Sequence, residues 1–136
     1  MREILFRGKR KDNGEWVYGN YAVTDNNGKR HFIFQNKAFE FEVVPETVGQ
    51  YTGITDDNEK KIFEGDILNV INPDDDDYNY ITKVYFECNT LCVDVEGRDY
   101  DYTSIGFAVE IWDDECDRVE VIGNIHDNPE LLEVEE

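Results

Sequence analysis

Short apolar runs broken by polar turns dominate the pattern along the chain. Ile4-Leu5-Phe6 leads through Asp12-Asn13-Gly14, a hairpin signal, into Trp16-Val17-Tyr18 and Tyr21-Ala22-Val23. Asp25-Asn26-Asn27-Gly28 is a second turn, and His31-Phe32-Ile33-Phe34 follows it. Phe39 to Val43 alternates with a period of two, as a half-buried strand does, until Pro45 stops it. Val48 to Ile54 reads as a connecting strand, and Thr55 to Glu59 as a turn. Asp66 to Ile71 is a further strand, ended by Asn72-Pro73. Tyr80 to Glu87 and Leu91 to Glu96 pair as a hairpin. Ile105 to Trp112 and Val119 to Ile125 pair as another, across the acidic turn from Asp113 to Asp117. Only the end reads as helix: Asn128 suits the N-cap, Pro129 the first helical position and Glu130 the first turn.

Strands at this spacing predict a mainly β protein. No internal repeat and no Gly/Ser linker divides the chain. Pro45 and a change of charge near residue 63 are the only boundary signals, and the division is placed near Val48. The expected architecture is a small N-terminal antiparallel β unit over 1–47 and an acidic SH3-like barrel over 48–136. A short C-terminal helix would close the barrel, with Leu131, Leu132 and Val134 over one mouth.

Charge changes this picture more than composition does. The 136 residues are 40% apolar and 13% aromatic, enough for a packed core, yet the formal charge is −19. Residues 1–63 carry 10 basic and 10 acidic side chains, whereas residues 64–136 carry 3 and 22. Such a surplus repels phosphate backbones and anionic membranes, so direct nucleic-acid binding and membrane binding are not expected. No apolar run is long enough to span a bilayer, and the N-terminus has no secretory pattern, so a cytosolic setting is expected. Three cysteines, Cys88, Cys92 and Cys116, fit reduced thiols there.

Candidate chemistry is sparse. Asp74-Asp75-Asp76-Asp77 offers carboxylates, but neither register places Gly sixth and Glu twelfth as an EF-hand requires: Asn79 and Tyr85, or Ile81 and Glu87, stand there. Cys88, Cys92, Cys116 and His126 are zinc-ligand types at a spacing looser than paired Cys-x-x-Cys knuckles, and structural thiols are the better reading. His31 and His126 lack a nucleophile motif, and Gly8, Gly14 and Gly19 form no phosphate loop, because no helix follows them. Glu110 with Asp113, or Asp99 with Asp101, would do acid–base work only if burial raised one of each pair. No catalytic, cofactor-binding or metal-binding residue is assigned.

Two surfaces remain. Asp94, Glu96, Asp99 and Asp101 recur at near-alternate positions, as do Asp113, Glu115 and Asp117, with Tyr100 and Tyr102 among them. On extended chain alternate residues share a face about 6.5–7 Å apart, so such rows can imitate a phosphate ladder. Against this stands the ordinary role of such charges, keeping sheet edges soluble. The second surface is the basic start, where Arg7, Lys9, Arg10 and Lys11 could dock on the acidic half of another copy. Its ordinary role is to protect a strand edge.

Three segments are similar to the YopX family of phage and prophage proteins. The start Met1-Arg2-Glu3-Ile4-Leu5-Phe6-Arg7 is one. Gln50-Tyr51-Thr52-Gly53-Ile54, followed after a polar turn by Ile62-Phe63-Glu64-Gly65-Asp66-Ile67, is the most specific. Val121-Ile122-Gly123-Asn124-Ile125-His126-Asp127-Asn128-Pro129-Glu130-Leu131-Leu132 is the third. Gly8-Lys9-Arg10 departs from the family's Ala-Trp-Asp, and His126 stands where the family has an aromatic. The resemblance implies a phage-associated, mainly β, oligomeric protein, and it carries over no catalytic residue. The shared positions read as fold determinants.

The leading expectation is a non-enzymatic phage accessory protein whose acidic surface occupies a nucleic-acid-binding protein of host or phage. The alternative is a self-assembling homo-oligomer in which basic start meets acidic half.

Overall fold

A computed structural model of the chain describes residues 3–35, 39–74, 79–87, 89–95, 102–114 and 117–132. These form two antiparallel sheets and one α-helix, in two compact units over 1–53 and 54–136.

In the first unit β1 (Phe6–Lys9) and β2 (Trp16–Thr24) form the hairpin expected from Asp12-Asn13-Gly14, with Phe6 opposite Gly19 and Lys9 opposite Trp16. The turn is closed by Arg10 N donating to Glu15 O and Gly14 N to Arg10 O, both at 2.9 Å. The two apolar runs of β2 are one nine-residue strand. It pairs with β3 (Arg30–Phe34), and β3 pairs with β4 (Glu40–Glu42). Pro45 opens a single 3₁₀ turn to Thr47, after which β5 (Gly49–Thr55) pairs with β1. Alternate residues face inward, so Val17, Ile33 and Val43 are buried, with Phe6, Tyr21, Phe41 and Val48 packed around them. Val43 also bridges to Arg10, and Val44 N donates to Lys9 O at 2.8 Å, which returns the chain after β4 to the end of β1.

β5 runs past Gly53 into the second unit and is followed in its sheet by β6 (Lys61–Phe63). Phe63 leads into the tight turn Glu64-Gly65, where a φ of 92° suits glycine and Asp66 Oδ2 accepts from Phe63 N at 2.7 Å. The second sheet has the order β10-β9-β8-β7-β11. Its strands are β7 (Asp66–Ile71), β8 (Tyr80–Glu87), β9 (Thr90–Asp94), β10 (Tyr102–Ser104) and β11 (Arg118–Asn124). The β8–β9 hairpin is the one expected from sequence.

Two expectations are overturned here. Ile105–Asp114 is an α-helix, α1, and not a strand paired with Val119–Ile125. The run Ile105 to Trp112 is apolar enough to satisfy either period, but Ile105, Ala108, Val109 and Trp112 pack on the sheet, which is the helical i, i+3, i+4, i+7 set. Ser104 Oγ accepts from Phe107 N at 3.3 Å, which caps the start of the helix. Consequently the described strands form an open sheet with edges at β10 and β11, not a closed SH3-like barrel. The residues needed for closure form the helix that covers one face of the sheet. There Leu68, Val70, Val84, Val93, Ile105, Ala108 and Trp112 make the core, with Trp112 Nε1 donating to the Tyr80 hydroxyl at 3.0 Å. Tyr80→Phe is expected to cost about 1 kcal/mol in urea unfolding, since it leaves that buried indole N–H without its acceptor.

The C-terminal end is a 3₁₀ turn over Pro129–Leu132. Asn128 reaches back to β11, its Oδ1 accepting from Asn124 N at 3.2 Å, while Asn124 Oδ1 accepts from His126 N and Asp127 N. Val134 lies outside the described residues.

Candidate functional site

The acidic positions separate onto two places of the second unit. Asp94 and Tyr102 are direct partners across β9 and β10. Their neighbours Val93 and Val95 point into the core beneath α1, so Asp94 lies on the opposite face of the sheet. There the Tyr85 hydroxyl donates to Asp94 Oδ1 at 2.7 Å. Burial, with the carboxylate beside it, pushes the Tyr85 hydroxyl well above the usual phenol range.

Asp113 and Asp117 belong to a different neighbourhood. Asp113 sits in the last turn of α1, and Asp117 follows the helix, its backbone N–H donating to Trp112 O at 2.8 Å. Both line a pocket of about 50 Å³ with Asp56 and Asp57 from the β5–β6 turn. Ile54, Thr55, Ile62, Val109, Trp112 and Val119 complete its lining, and Asn72 Nδ2 donates to Asp117 Oδ1 at 2.8 Å. Asp56 is 7% exposed. Its Oδ1 accepts from Asn58 N and Lys60 N, and its Oδ2 accepts from Val121 N at 2.9 Å. Asp57 Oδ2 accepts from Val119 N at 2.6 Å, while Asp57 N donates to Val119 O at 3.0 Å. Together the two aspartates satisfy the edge of β11 that β7 leaves open. Sequence reasoning took them only as turn residues; consecutive acids inside the Ile54-to-Ile67 motif were the available signal.

Glu96, Asp99, Tyr100, Asp101 and Glu115 lie outside the described residues, as do Cys88, Cys116 and Asp75 to Asp77. Cys92 is buried, its thiol 3.7 Å from Thr90 O. His31 stacks on Tyr21, whose hydroxyl lies 2.6 Å from His31 Nδ1. No group of three or more His, Cys, Asp or Glu arranged to hold a metal ion occurs among the described residues.

The basic start is largely engaged within its own unit. Arg7 is 6% exposed, and its guanidinium lies 4.6 Å from the Trp16 ring centroid, with Lys9 Nζ at 5.5 Å from the same ring. Arg10 pairs with Asp12 at 2.6 Å and lies over Phe41. Lys11 at 3.4 Å and Arg30 at 2.8 Å both reach Glu42.

The hydrogen bond from Arg30, with the charges of Arg30 and Lys11, holds the Glu42 carboxyl below the usual glutamate range. A carboxyl depressed in the folded state stabilises above its unfolded pKa and loses that contribution as pH falls through the folded value. Carboxyl NMR titration is expected to place Glu42 below a model glutamate, and Glu42→Gln to flatten the acid limb of the stability profile. An ordinary Glu42 midpoint would contradict this.

Fold and site define a mainly β, two-sheet protein with an acidic second unit. A family model described as YopX protein matches residues 5–133, and the chain belongs to that family. The crystal structure of YopX from Bacillus subtilis is similar, with a TM-score of 0.59 at 22% identity over 95% of this chain and 98% of that one. A protein from Enterococcus faecalis matches with a TM-score of 0.56 at 21% identity, over 98% of this chain and all of the other. No curated protein matches the chain. None of the described helices is long and apolar enough to cross a membrane.

Proposed function

We propose that the chain is a non-enzymatic, stoichiometric binding protein whose acidic second unit occupies a basic, nucleic-acid-binding protein. The setting would be the cytosol of a phage-infected or lysogenic bacterium, which rests on the family resemblance alone. The observation that carries the reading is the placing of charge, 3 basic against 22 acidic side chains over residues 64–136 and 10 against 10 over residues 1–63. In the first unit Arg10, Lys11 and Arg30 are each paired with a carboxylate. In the second, Asp94, Glu110, Asp113, Asp114 and Glu120 have no ion-pair partner among the described residues. Unpaired surface carboxylates of one sign attract a basic partner and speed its association.

The test is capture of partners from infected and uninfected host lysate at low and high salt, using the wild type and the Asp94→Lys/Asp113→Lys/Asp117→Lys variant. A single nucleic-acid-handling protein at near-equal stoichiometry, released by salt and lost on charge reversal, is the expected result. Retention by a folded charge-reversed variant would sink the reading. Self-assembly through the basic start comes second, because Arg7 is buried and Arg10 and Lys11 are paired within their own unit. Light scattering that shows oligomers weakening as salt rises would reverse that order.

A further inference from the structure

We infer that Asn27 is a site of spontaneous deamidation, converted to aspartate and isoaspartate through attack by the Gly28 nitrogen, whereas Asn13, in the same dipeptide, is protected by its turn. The only co-reactant is water, so this modification is independent of the binding role proposed above.

Asparagine precedes glycine twice, at Asn13-Gly14 and Asn27-Gly28. Glycine hinders its own nitrogen least and restricts the backbone least, so the two dipeptides are alike as sequence. The reaction is intramolecular. The glycine N–H gives its proton to water or hydroxide, and the nitrogen attacks the asparagine Cγ. A new C–N bond closes a five-membered succinimide, the bond from Cγ to the amide nitrogen breaks, and that nitrogen leaves as ammonia after taking up a proton. Water then opens the ring at either carbonyl, giving aspartate or, with one more carbon in the main chain, isoaspartate. Closure needs a glycine nitrogen that is not already donating and an asparagine side chain that is not held. The two turns differ in both.

At the first turn nucleophile and electrophile are both tied. Gly14 N donates to Arg10 O at 2.9 Å, and Asn13 Oδ1 accepts from Glu15 N at 2.9 Å. Arg10 N donates to Glu15 O across the same turn, and its guanidinium donates twice to the Asp12 carboxylate. The turn between β2 and β3 has no such ties. The ladder ends at the pair Thr24 and Arg30, leaving Asp25 to Lys29 exposed. Among the described residues Gly28 N donates to no acceptor, and the Asn27 amide makes no hydrogen bond. Asn27 lies at a φ of 60° and Gly28 at 103°. Asparagine tolerates the left-handed region at some cost, so leaving it to reach the ring-closing geometry relieves strain. Nothing lies within 4 Å of a Cβ built on Gly28, so that side of the turn is open to solvent.

Each event adds one carboxylate to the −19 of the sequence. It falls in the first unit, away from the acidic half, in a loop where an extra main-chain carbon disturbs no ladder pair.

The test is incubation of the full-length protein in mildly alkaline buffer, folded and in concentrated urea, followed over time by peptide mapping with mass spectrometry. In the folded protein the Asn27 peptide is expected to gain the mass difference between water and ammonia and to separate into aspartate and isoaspartate forms. The Asn13 peptide should convert about tenfold more slowly or less, because its turn must open first. In urea the two rates should come within about threefold, since neither turn then survives. Isoelectric focusing gives a second readout. A more acidic band should grow with time in the wild type and be strongly delayed in Asn27→Gly, which suits the same positive φ. Equal rates at Asn13 and Asn27 in the folded protein would overturn the inference. So would an Asn27 peptide that stays intact when folded yet converts in urea, or an acidic band that grows unchanged in Asn27→Gly.

Discussion

Asp56→Ala is expected to destabilise the protein by about 3–5 kcal/mol in urea unfolding, the largest effect of any single exposed-loop substitution. The loop position is misleading, because the side chain is 7% exposed and its two oxygens accept from three backbone N–H groups. Hydrogen bonds to a charged acceptor are worth about 1.5–3 kcal/mol each, and a buried donor left without a partner costs about 1–3 kcal/mol. The three do not add in full, since Asn58 and Lys60 lie in an exposed turn where water can replace the carboxylate. Val121 cannot be satisfied so easily, as its N–H lies on the edge of β11 turned away from β7. Asp56→Asn keeps the shape and should cost less, about 2 kcal/mol, because an amide nitrogen would then face one of the donors. Hydrogen exchange gives the discriminating readout: the Val121 amide should lose protection in Asp56→Ala well beyond the global change. A loss of stability under 1 kcal/mol, with Val121 still protected, would show that the loop does not hold the edge.

Gly19→Ala is expected to cost about 2–4 kcal/mol for a different reason. A Cβ at this position would stand 2.1 Å from the Phe34 carbonyl oxygen and 2.8 Å from its carbon. Both are backbone atoms of β3, in the ladder where Asn20 faces Phe34, so neither can rotate away. Relief requires separating β2 from β3, and Tyr21 and Ile33 of the first core lie on the next rung. Gly106→Ala is the matched control, since nothing lies within 4 Å of its added Cβ. In α1 that change should stabilise by up to about 1 kcal/mol. Equal outcomes for the two variants in urea unfolding would contradict the close approach of β2 and β3.

The strands and their turns were legible because their signals are local. Asp12-Asn13-Gly14, Asp25 to Gly28 and Glu64-Gly65-Asp66 each fix a turn through side chains that bond nearby backbone or tolerate positive φ. Alternation fixed which face of β2 and β3 turns inward. The run from Ile105 to Trp112 was not legible in the same way. Its period is ambiguous when so many positions are apolar, and the Ser104 cap is a weak signal beside a run that holds three β-branched residues, Ile105, Val109 and Ile111. Only the sheet beneath it, which offers one face to cover, selected the helix.

The acidic site divides similarly. Sequence spacing grouped Asp94 with Asp113 and Asp117, but the pleat turns Asp94 to the face away from α1. The acids that share a pocket lining with Asp113 and Asp117, namely Asp56 and Asp57, stand more than fifty residues earlier in the chain.

By itself, then, the sequence determined the family, the mainly β class, the turns and the placing of the negative charge in the second half. Each of these is written in residues close together or in simple totals. Tertiary structure decided that α1 covers an open sheet, that two loop aspartates hold the edge of β11, and that they share the lining of one pocket with Asp113 and Asp117 at the helix end. Those outcomes depend on contacts between distant segments, such as Asp56 and Val121 at a sequence separation of 65, for which no local pattern exists.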